Sequence, residues 1–200
     1  MTHEAYGTAV LRQGPLDDGA VEAHSTAPGG RHPRVALMCT DLEGFTTTVE
    51  RLGDYHARDL MRVHNLLIRH CLRRNGGVEV AHLGDGILAS FPIAREAIRC
   101  AMAIQRRLHS HNISAQDVPF RIRIGLHVGN PLPEDGRLFG SCVNATVRVC
   151  GAASPGSILV SDALRRATYC DGSANRYLSD GLYKLKGFGT PLRLHELCWK

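Results

Sequence analysis

The chain has 200 residues and a mass of 21.8 kDa, enough for one large domain and rarely for two. Its content of 44% hydrophobic and 22% charged residues excludes a wholly disordered chain, a collagen-like repeat and a coiled-coil rod. The net charge of +5 is too small to require a nucleic-acid partner, although it suits an anionic ligand. No segment approaches the roughly 18 apolar residues of a membrane span, and the N-terminus lacks a signal-peptide pattern. We therefore expect a soluble cytoplasmic protein, with no membrane or nucleic-acid partner.

Residues 1–33 differ in composition from the rest of the chain. They are rich in Gly, Pro and small polar residues and show no sustained hydrophobic periodicity. We expect them to form a mobile N-terminal arm, followed by one folded domain over residues 34–200. Seven cysteines are spread along the chain without a CxxC pair. This pattern indicates reduced, buried thiols rather than a disulfide framework or a structural zinc site.

Hydrophobic periodicity predicts the elements of the folded domain. In chain order they are a strand at Val35–Thr40, a helix at Asp54–Arg74, strands at Val78–Leu83 and Ile87–Phe91, a helix at Ile93–His109, a strand over 121–128, a helix at Ser141–Ala153, a strand over 157–161, a short helix, and terminal strands near 176–179, 182–186 and 191–198. The order β-α-β-β-α-β with a C-terminal strand extension predicts an α+β fold with a ferredoxin-like split βαβ core. The helices of such a core cover one face of a mainly antiparallel sheet.

Two aspartates stand where neighbouring strands of this sheet are expected to meet. Asp41 ends the first strand, and Asp85 lies at the tip of the hairpin that the next two strands form. Each alone is explained as a helix cap or a turn residue. Two carboxylates a few ångströms apart repel each other unless a cation lies between them, and oxygen-only ligation suits Mg²⁺ or Mn²⁺. Together they predict a metal site.

Three further groups of residues are candidates for binding a phosphorylated ligand, and the last of them lies near the C-terminus. Gly44, Phe45 and Thr46 follow Asp41 at the expected start of a helix, where free backbone N–H groups can bind phosphate. Asn144 and Arg148 are four residues apart and share one face of the third helix, which is typical of a solvated surface but also suits ribose and phosphoryl contacts.

Near the C-terminus, Lys184 and Lys186 alternate in a predicted strand, and Lys186 precedes a glycine turn. This pattern is typical of exposed lysines on an edge strand.

Five segments of the chain resemble class III adenylate/guanylate cyclase catalytic domains. They are T-D-L-E-G-F-T, L-G-D-G-I-L-A-S-F, R-I-R-I-G-L-H-V-G, L-F-G-S-C-V-N-A-T-V-R and L-K-G-F-G-T-P, and they come in the order and at about the spacing of that family. The resemblance covers residues 34–198. It implies a nucleotide cyclase that converts a nucleoside triphosphate to a 3′,5′-cyclic monophosphate and pyrophosphate for signal transduction.

The resemblance also implies roles for individual residues. Two divalent metals, Mg²⁺ or Mn²⁺, would be held by Asp41, by Asp85 and by the backbone carbonyl of Leu42. Asn144 and Arg148 match the residues that position the ribose and stabilise the transition state. Lys186 matches a phosphate-contacting lysine. Family members form active sites between two subunits, so the resemblance implies a head-to-tail homodimer with shared sites.

The positions that read the nucleotide base depart from the family pattern. Adenylate cyclases carry a Lys and usually an Asp there, and guanylate cyclases commonly carry Glu and Cys, whereas this chain has Ala81 and Arg137. Ala81 offers no hydrogen bond and Arg137 only donates, which suits acceptor edges of guanine or of a pyrimidine. Adenine recognition would be recovered if Asp135 replaced Arg137 through a slip of the loop, or if Glu79 reached the base from the strand face of Ala81.

Three hypotheses follow. The first is an active cyclase, with a purine nucleotide as the family expectation and a pyrimidine cyclase of the phage-defence type as an alternative. The second is an inactive cyclase-homology module that acts in dimerisation or nucleotide sensing. The third is a ferredoxin-like nucleic-acid-binding domain, which would need exposed aromatic residues on a sheet face, although only 6% of the residues are aromatic.

Overall fold

The computed structural model describes residues 33–114, 119–169 and 175–200, so the expected N-terminal arm lies outside the described residues except for Pro33. Its strands and helices follow the predicted order closely. They are β1 (Val35–Leu42), α1 (Phe45–Arg74), β2 (Val78–Leu83), β3 (Gly86–Phe91), α2 (Ala94–Ser114), β4 (Ile122–Gly129), β5 (Leu132–Glu134), β6 (Arg137–Phe139), α3 (Ser141–Ala152), β7 (Ile158–Ser161), α4 (Asp162–Tyr169), β8 (Tyr177–Tyr183) and β9 (Leu192–Leu197). No helix among the described residues is long and apolar enough to span a membrane.

One seven-stranded sheet forms the centre of the domain, in the order β2-β3-β1-β4-β7-β9-β8. The first four strands of this order are antiparallel to their neighbours, which is the arrangement of a ferredoxin-like core. The remaining three extend the sheet, and β7 joins β4 in parallel. The predicted α+β fold class, with its C-terminal strand extension, is confirmed.

The main core lies between the sheet and the helices α1 and α2. The apolar residues that alternate along β4 all point into it, namely Ile122, Ile124, Leu126 and Val128. Cys71 and Cys100 belong to the same core, and of the six described cysteines only Cys198 is not fully buried, all six being free thiols. The expectation of reduced, buried thiols is confirmed for five of the six described cysteines, and Cys198 is partly exposed.

The two helices of the ferredoxin-like core, α1 and α2, cover one face of the sheet as predicted, whereas the additional helix α3 packs on the opposite face. Two glycines of β4 allow this close approach. A Cβ atom on Gly125 would lie 2.1 Å from the backbone nitrogen of Cys150, and one on Gly129 would lie 2.3 Å from Cβ of Cys142. A second, smaller core around Val149 of α3 fills the space beside them.

Three further details differ from the predictions. Helix α1 begins at Phe45 and is interrupted at Gly53, whose φ of 78° is not helical, so the predicted helix is only its second part. The short hairpin β5–β6 was not predicted. Two terminal strands are present instead of three, and β8 ends at Tyr183, so Lys184 and Lys186 follow the strand instead of alternating along it.

Candidate active site

The structure places Asp85 beside Asp41. Strands β1 and β3 are neighbours, and the amide of Ile87 donates a 3.0 Å hydrogen bond to Oγ1 of Thr40. Gly86 comes so close that an added Cβ would lie 2.1 Å from the carbonyl oxygen of Thr40. Burial, followed by the negative charge of Asp41, raises the pKa of the Asp85 carboxyl above its ordinary value. The two carboxylates are therefore close enough to interact.

An arginine that the sequence analysis did not single out contacts one member of this pair, Asp41. Nε and Nη2 of Arg123 each lie 2.6 Å from Oδ2 of Asp41, and Nη1 donates to the carbonyl of Gly151 in α3 at 3.3 Å. The signal was present in the sequence, since Arg123 alternates with the buried residues of β4 and therefore faces the other side of the sheet. Its partner became evident only from the register, which sets Arg123 opposite Asp41.

The segment that follows Asp41 forms a helix N-terminus with open backbone donors. Gly44 has a left-handed conformation, with φ 60° and ψ 31°, and α1 begins at the next residue. The first helical hydrogen bond runs from the amide of Thr48 to the carbonyl of Gly44, so the amides of Phe45 and Thr46 have no acceptor within the helix. The side chain of Leu42 is buried, so only its backbone can contact a ligand.

Asn144 and Arg148 lie on the exposed face of α3. Within the described part of the chain, neither side chain has a hydrogen bond or an ion pair. Helix α3 also reaches the carboxylate cluster, because Gly151 near its C-terminal end accepts the hydrogen bond from Arg123. One helix thus carries Asn144 and Arg148 and also contacts the side chain that binds Asp41.

The two residues expected to face the base come from strands β2 and β6, which pack against each other. Ala81 belongs to an apolar cluster that includes Val143 of α3, and Arg137 is exposed on β6. Both therefore lie near the N-terminal half of α3.

The expectation that Glu79 shares a strand face with Ala81 is wrong. A β-bulge between them pairs Glu79 with Ala89 and Ala81 with Leu88, and these two partners point to opposite faces of the sheet. Glu79 instead accepts hydrogen bonds of 2.7 and 2.9 Å from Arg69 of α1.

The loop slip that would replace Arg137 by Asp135 is also not observed. Asp135 lies at the tip of the β5–β6 turn with a φ of 48°.

Lys186 is exposed in the turn that follows β8, next to Gly187, whose φ of 86° makes the turn possible. The preceding Leu185 is buried in the same small core as Val149, so the turn lies against α3. The structure therefore brings this lysine to the helix that carries Arg148.

Comparison with known proteins identifies the family of this chain. The model of the adenylate and guanylate cyclase catalytic domain matches residues 28–194. The chain belongs to this family. It is 27% identical over 173 residues to a putative adenylate cyclase 3 of Rhizobium meliloti, covering 82% of this chain and 28% of that protein. It is 32% identical over 176 residues to an adenylate cyclase of Podospora anserina, covering 75% of this chain and 8% of that protein. The cyclase domain thus spans less than a third of each of these two relatives.

Solved structures show the same fold. An adenylate/guanylate cyclase/hydrolase from Silicibacter pomeroyi aligns with a TM-score of 0.71 at 30% identity, covering 82% of this chain and 95% of that one. The guanylate cyclase domain of a Catenaria anguillulae protein, solved in complex with GTP, aligns with a TM-score of 0.71 at 20% identity, covering 84% and 97%.

The donor chemistry of the cyclase domain fits a divalent cation that is shared with a phosphorylated ligand. No group of three or more His, Cys, Asp or Glu side chains in the described segments could hold a metal by itself. Mg²⁺, however, is usually held by one or two carboxylates together with substrate phosphates. Asp41 and Asp85 supply two hard oxygen donors beside the open amides of α1, which is the arrangement that such a shared site requires.

Proposed function

We propose that this domain is an active nucleotide cyclase that converts a nucleoside triphosphate to its 3′,5′-cyclic monophosphate and pyrophosphate, for use in signal transduction. The observation that carries the proposal is the convergence of Asp41, Asp85 and Arg123 beside a helix N-terminus, in a member of the cyclase family. Two close carboxylates suit a cation, and the arginine and the open amides suit an anion. A nucleoside triphosphate with its metal ions presents both.

Each group of this site has a role in such a reaction. Asp41, Asp85 and the backbone carbonyl of Leu42 would hold two Mg²⁺ or Mn²⁺ ions. The chemistry that these ions supply is a lower pKa of the ribose 3′-hydroxyl and neutralisation of the departing pyrophosphate. The amides of Phe45 and Thr46, after the turn at Gly44, bind phosphate oxygens in this scheme, as do Lys186 and Arg123.

Asn144 would orient the ribose, and Arg148 would stabilise the charge that develops on the α-phosphate during in-line attack.

The arrangement also supports a head-to-tail homodimer. Asn144 and Arg148 have no side-chain partner within the described segments, although both are suited to contact a bound nucleotide. Leu132 and Phe139 pair across the β5–β6 hairpin and are 52% and 44% exposed. An exposed apolar pair next to Arg137 is suited to burial against a second copy. In our proposal one subunit supplies the carboxylates and the other supplies Asn144 and Arg148.

The base remains open between a purine and a pyrimidine. Ala81 adds only an apolar surface, and Arg137 donates to acceptor edges, which favours guanine or a pyrimidine carbonyl over the adenine amino group. The nucleic-acid alternative is not favoured, because α3 covers a sheet face on which bases would have to stack.

The test is to incubate the purified chain with Mn²⁺ and each of ATP, GTP, CTP and UTP, and to identify cyclic monophosphates by mass spectrometry. We expect one dominant product. Asp85→Ala should lower the rate by about a hundredfold or more, because a metal carboxylate is lost. Asp59→Ala removes an exposed carboxylate of α1 that binds Arg62 at 3.1 Å, and this matched control should keep wild-type activity.

A folded, dimeric protein that forms no product from any of the four nucleotides would favour the inactive module instead. Normal turnover by Asp85→Ala would show that the metal assignment is wrong.

A further inference from the structure

The guanidinium of Arg123 already forms an ion pair with the carboxylate of Asp41. Two nitrogens of Arg123 lie 2.6 Å from Oδ2 of Asp41. The two residues face each other across the β1–β4 ladder, so the backbone on both sides fixes their approach. The third nitrogen, Nη1, is held by the carbonyl of Gly151 at 3.3 Å. Charge-assisted hydrogen bonds of this length are the strong ones in proteins.

The same guanidinium lies within electrostatic range of the second carboxylate. The positive charge of Arg123 acts on Asp85 against the influence of burial and of Asp41. A divalent cation held between Asp41 and Asp85 would therefore compete with Arg123 for the negative charge of Asp41, most directly at Oδ2, and would meet a nearby like charge. Both effects oppose binding of the metal alone.

We propose that Arg123 is an internal substitute for the divalent cation at Asp41, and that it lowers the affinity of the two carboxylates for a metal ion until it is displaced from Oδ2. The inference rests on the proposed metal site. It predicts that the two carboxylates bind a metal ion weakly before the nucleotide arrives. Once Arg123 leaves Asp41, its guanidinium is free to contact an anion, and any anion that binds it favours the metal-bound arrangement.

The experiment measures the dissociation constant of Mn²⁺ alone, without nucleotide, by electron paramagnetic resonance of free Mn²⁺ added to the purified full chain. We expect Arg123→Gln to bind Mn²⁺ about tenfold more tightly than the wild type, since both the competing hydrogen bonds and the like charge are removed. Arg121→Gln is the matched control. Arg121 lies two residues away and pairs with Glu43 at 2.7 Å instead of with Asp41, so its removal should change the affinity by less than about twofold.

Equal Mn²⁺ affinities in the wild type and Arg123→Gln would overturn the inference. Equal tightening by Arg121→Gln would do the same, because it would indicate a general charge effect. Thermal unfolding of each variant checks its fold. If Arg123→Gln does not fold, Arg123→Lys replaces the planar fork by a single ammonium and should still tighten binding a few-fold.

A second carboxylate variant separates this inference from the proposed function. If Asp85→Asn leaves the Mn²⁺ affinity of the wild type unchanged, the metal is not at these carboxylates and both proposals fail. If Asp85→Asn weakens binding while Arg123→Gln does not tighten it, only the role of Arg123 is wrong.

Discussion

At the scale of single residues, His64 combines burial with an unfavourable environment for charge. Its side chain is 1% exposed, and its Nε2 has no hydrogen-bond partner among the described residues. Nδ1 lies 3.1 Å from Oδ1 of Asn65, and the ring lies beside that of Phe120. Burial is the main cause that lowers the pKa of His64 from 6.5 to about 4. The folded protein therefore keeps this histidine neutral in a range where the unfolded chain binds a proton.

The lowered pKa of His64 predicts a loss of stability in acid. Because the folded state binds this proton only near pH 4, stability is complete above pH 6.5 and falls as the pH decreases from 6.5 towards 4. We expect this group to remove about 2–3 kcal/mol of unfolding free energy between pH 7 and pH 4.5. In His64→Leu this part of the loss should disappear. Urea unfolding at the two pH values measures it, and an equal loss in both proteins would contradict the assignment.

At the scale of elements, the packing of α3 on β4 depends on glycine. The helix approaches the strand so closely that a Cβ on Gly125 would lie 2.1 Å from the backbone nitrogen of Cys150 and 2.5 Å from its Cα. Backbone atoms of a packed helix cannot move away as a flexible side chain can. This contact sets the height of α3 above the sheet, and with it the distance from Gly151 to Arg123.

Two glycine substitutions should therefore have opposite effects. Gly125→Ala should lower the unfolding free energy by about 3 kcal/mol, because the methyl group displaces α3 from the sheet. Gly151→Ala is the matched control, since it lies in α3 with no atom within 4 Å of the added Cβ, and it should raise stability by about 0.5 kcal/mol through helix propensity. Chemical denaturation compares them, and a similar effect of both would refute the close-packing argument.

The same contacts show what the sequence can and cannot predict. Strict alternation along β4 and the Gly84-Asp85-Gly86 turn are local signals, and the elements they predict are present. The position of α3 on the opposite face was not predictable from its own amphipathic pattern, because that pattern does not say which sheet face it meets. The bulge beside Ala81 is likewise a property of the pairing with β3, and it moved Glu79 to the other face.

In the candidate site, too, some residues were predictable from the sequence and others only from the structure. Asp41 and Asp85 were predicted to meet because adjacent strands fix them. The role of Arg123 depended on a register that the sequence does not display. The β5–β6 hairpin carried a local signal that was missed, since Asp135-Gly136 is a typical turn pair.

At the scale of the whole molecule, the site residues fall into two groups along α3. Arg123, which binds Asp41, contacts the helix at Gly151, whereas Asn144 comes seven residues earlier, about 10 Å along the axis, on a face directed to solvent. A nucleotide bound at the carboxylates would meet Asn144 and Arg148 most simply if a second subunit supplied them. The solvent-directed positions of Asn144 and Arg148 are the structural reason to propose a shared site.

Complementation between two inactive variants tests the shared site. Asp85→Ala removes a carboxylate proposed to bind the metal ions, and Arg148→Ala removes the arginine that the other subunit is proposed to supply. Each homodimer should therefore be inactive. Mixed at equal amounts, half of the dimers become heterodimers that contain one site with both defects and one intact site, which should restore about a quarter of wild-type activity. Mixing two preparations of Asp85→Ala is the control and should restore none. If the unlike mixture also stays inactive while co-purification of two differently tagged variants shows heterodimers, each subunit must build its own complete site, and Asn144 and Arg148 must then reach the carboxylates of their own chain.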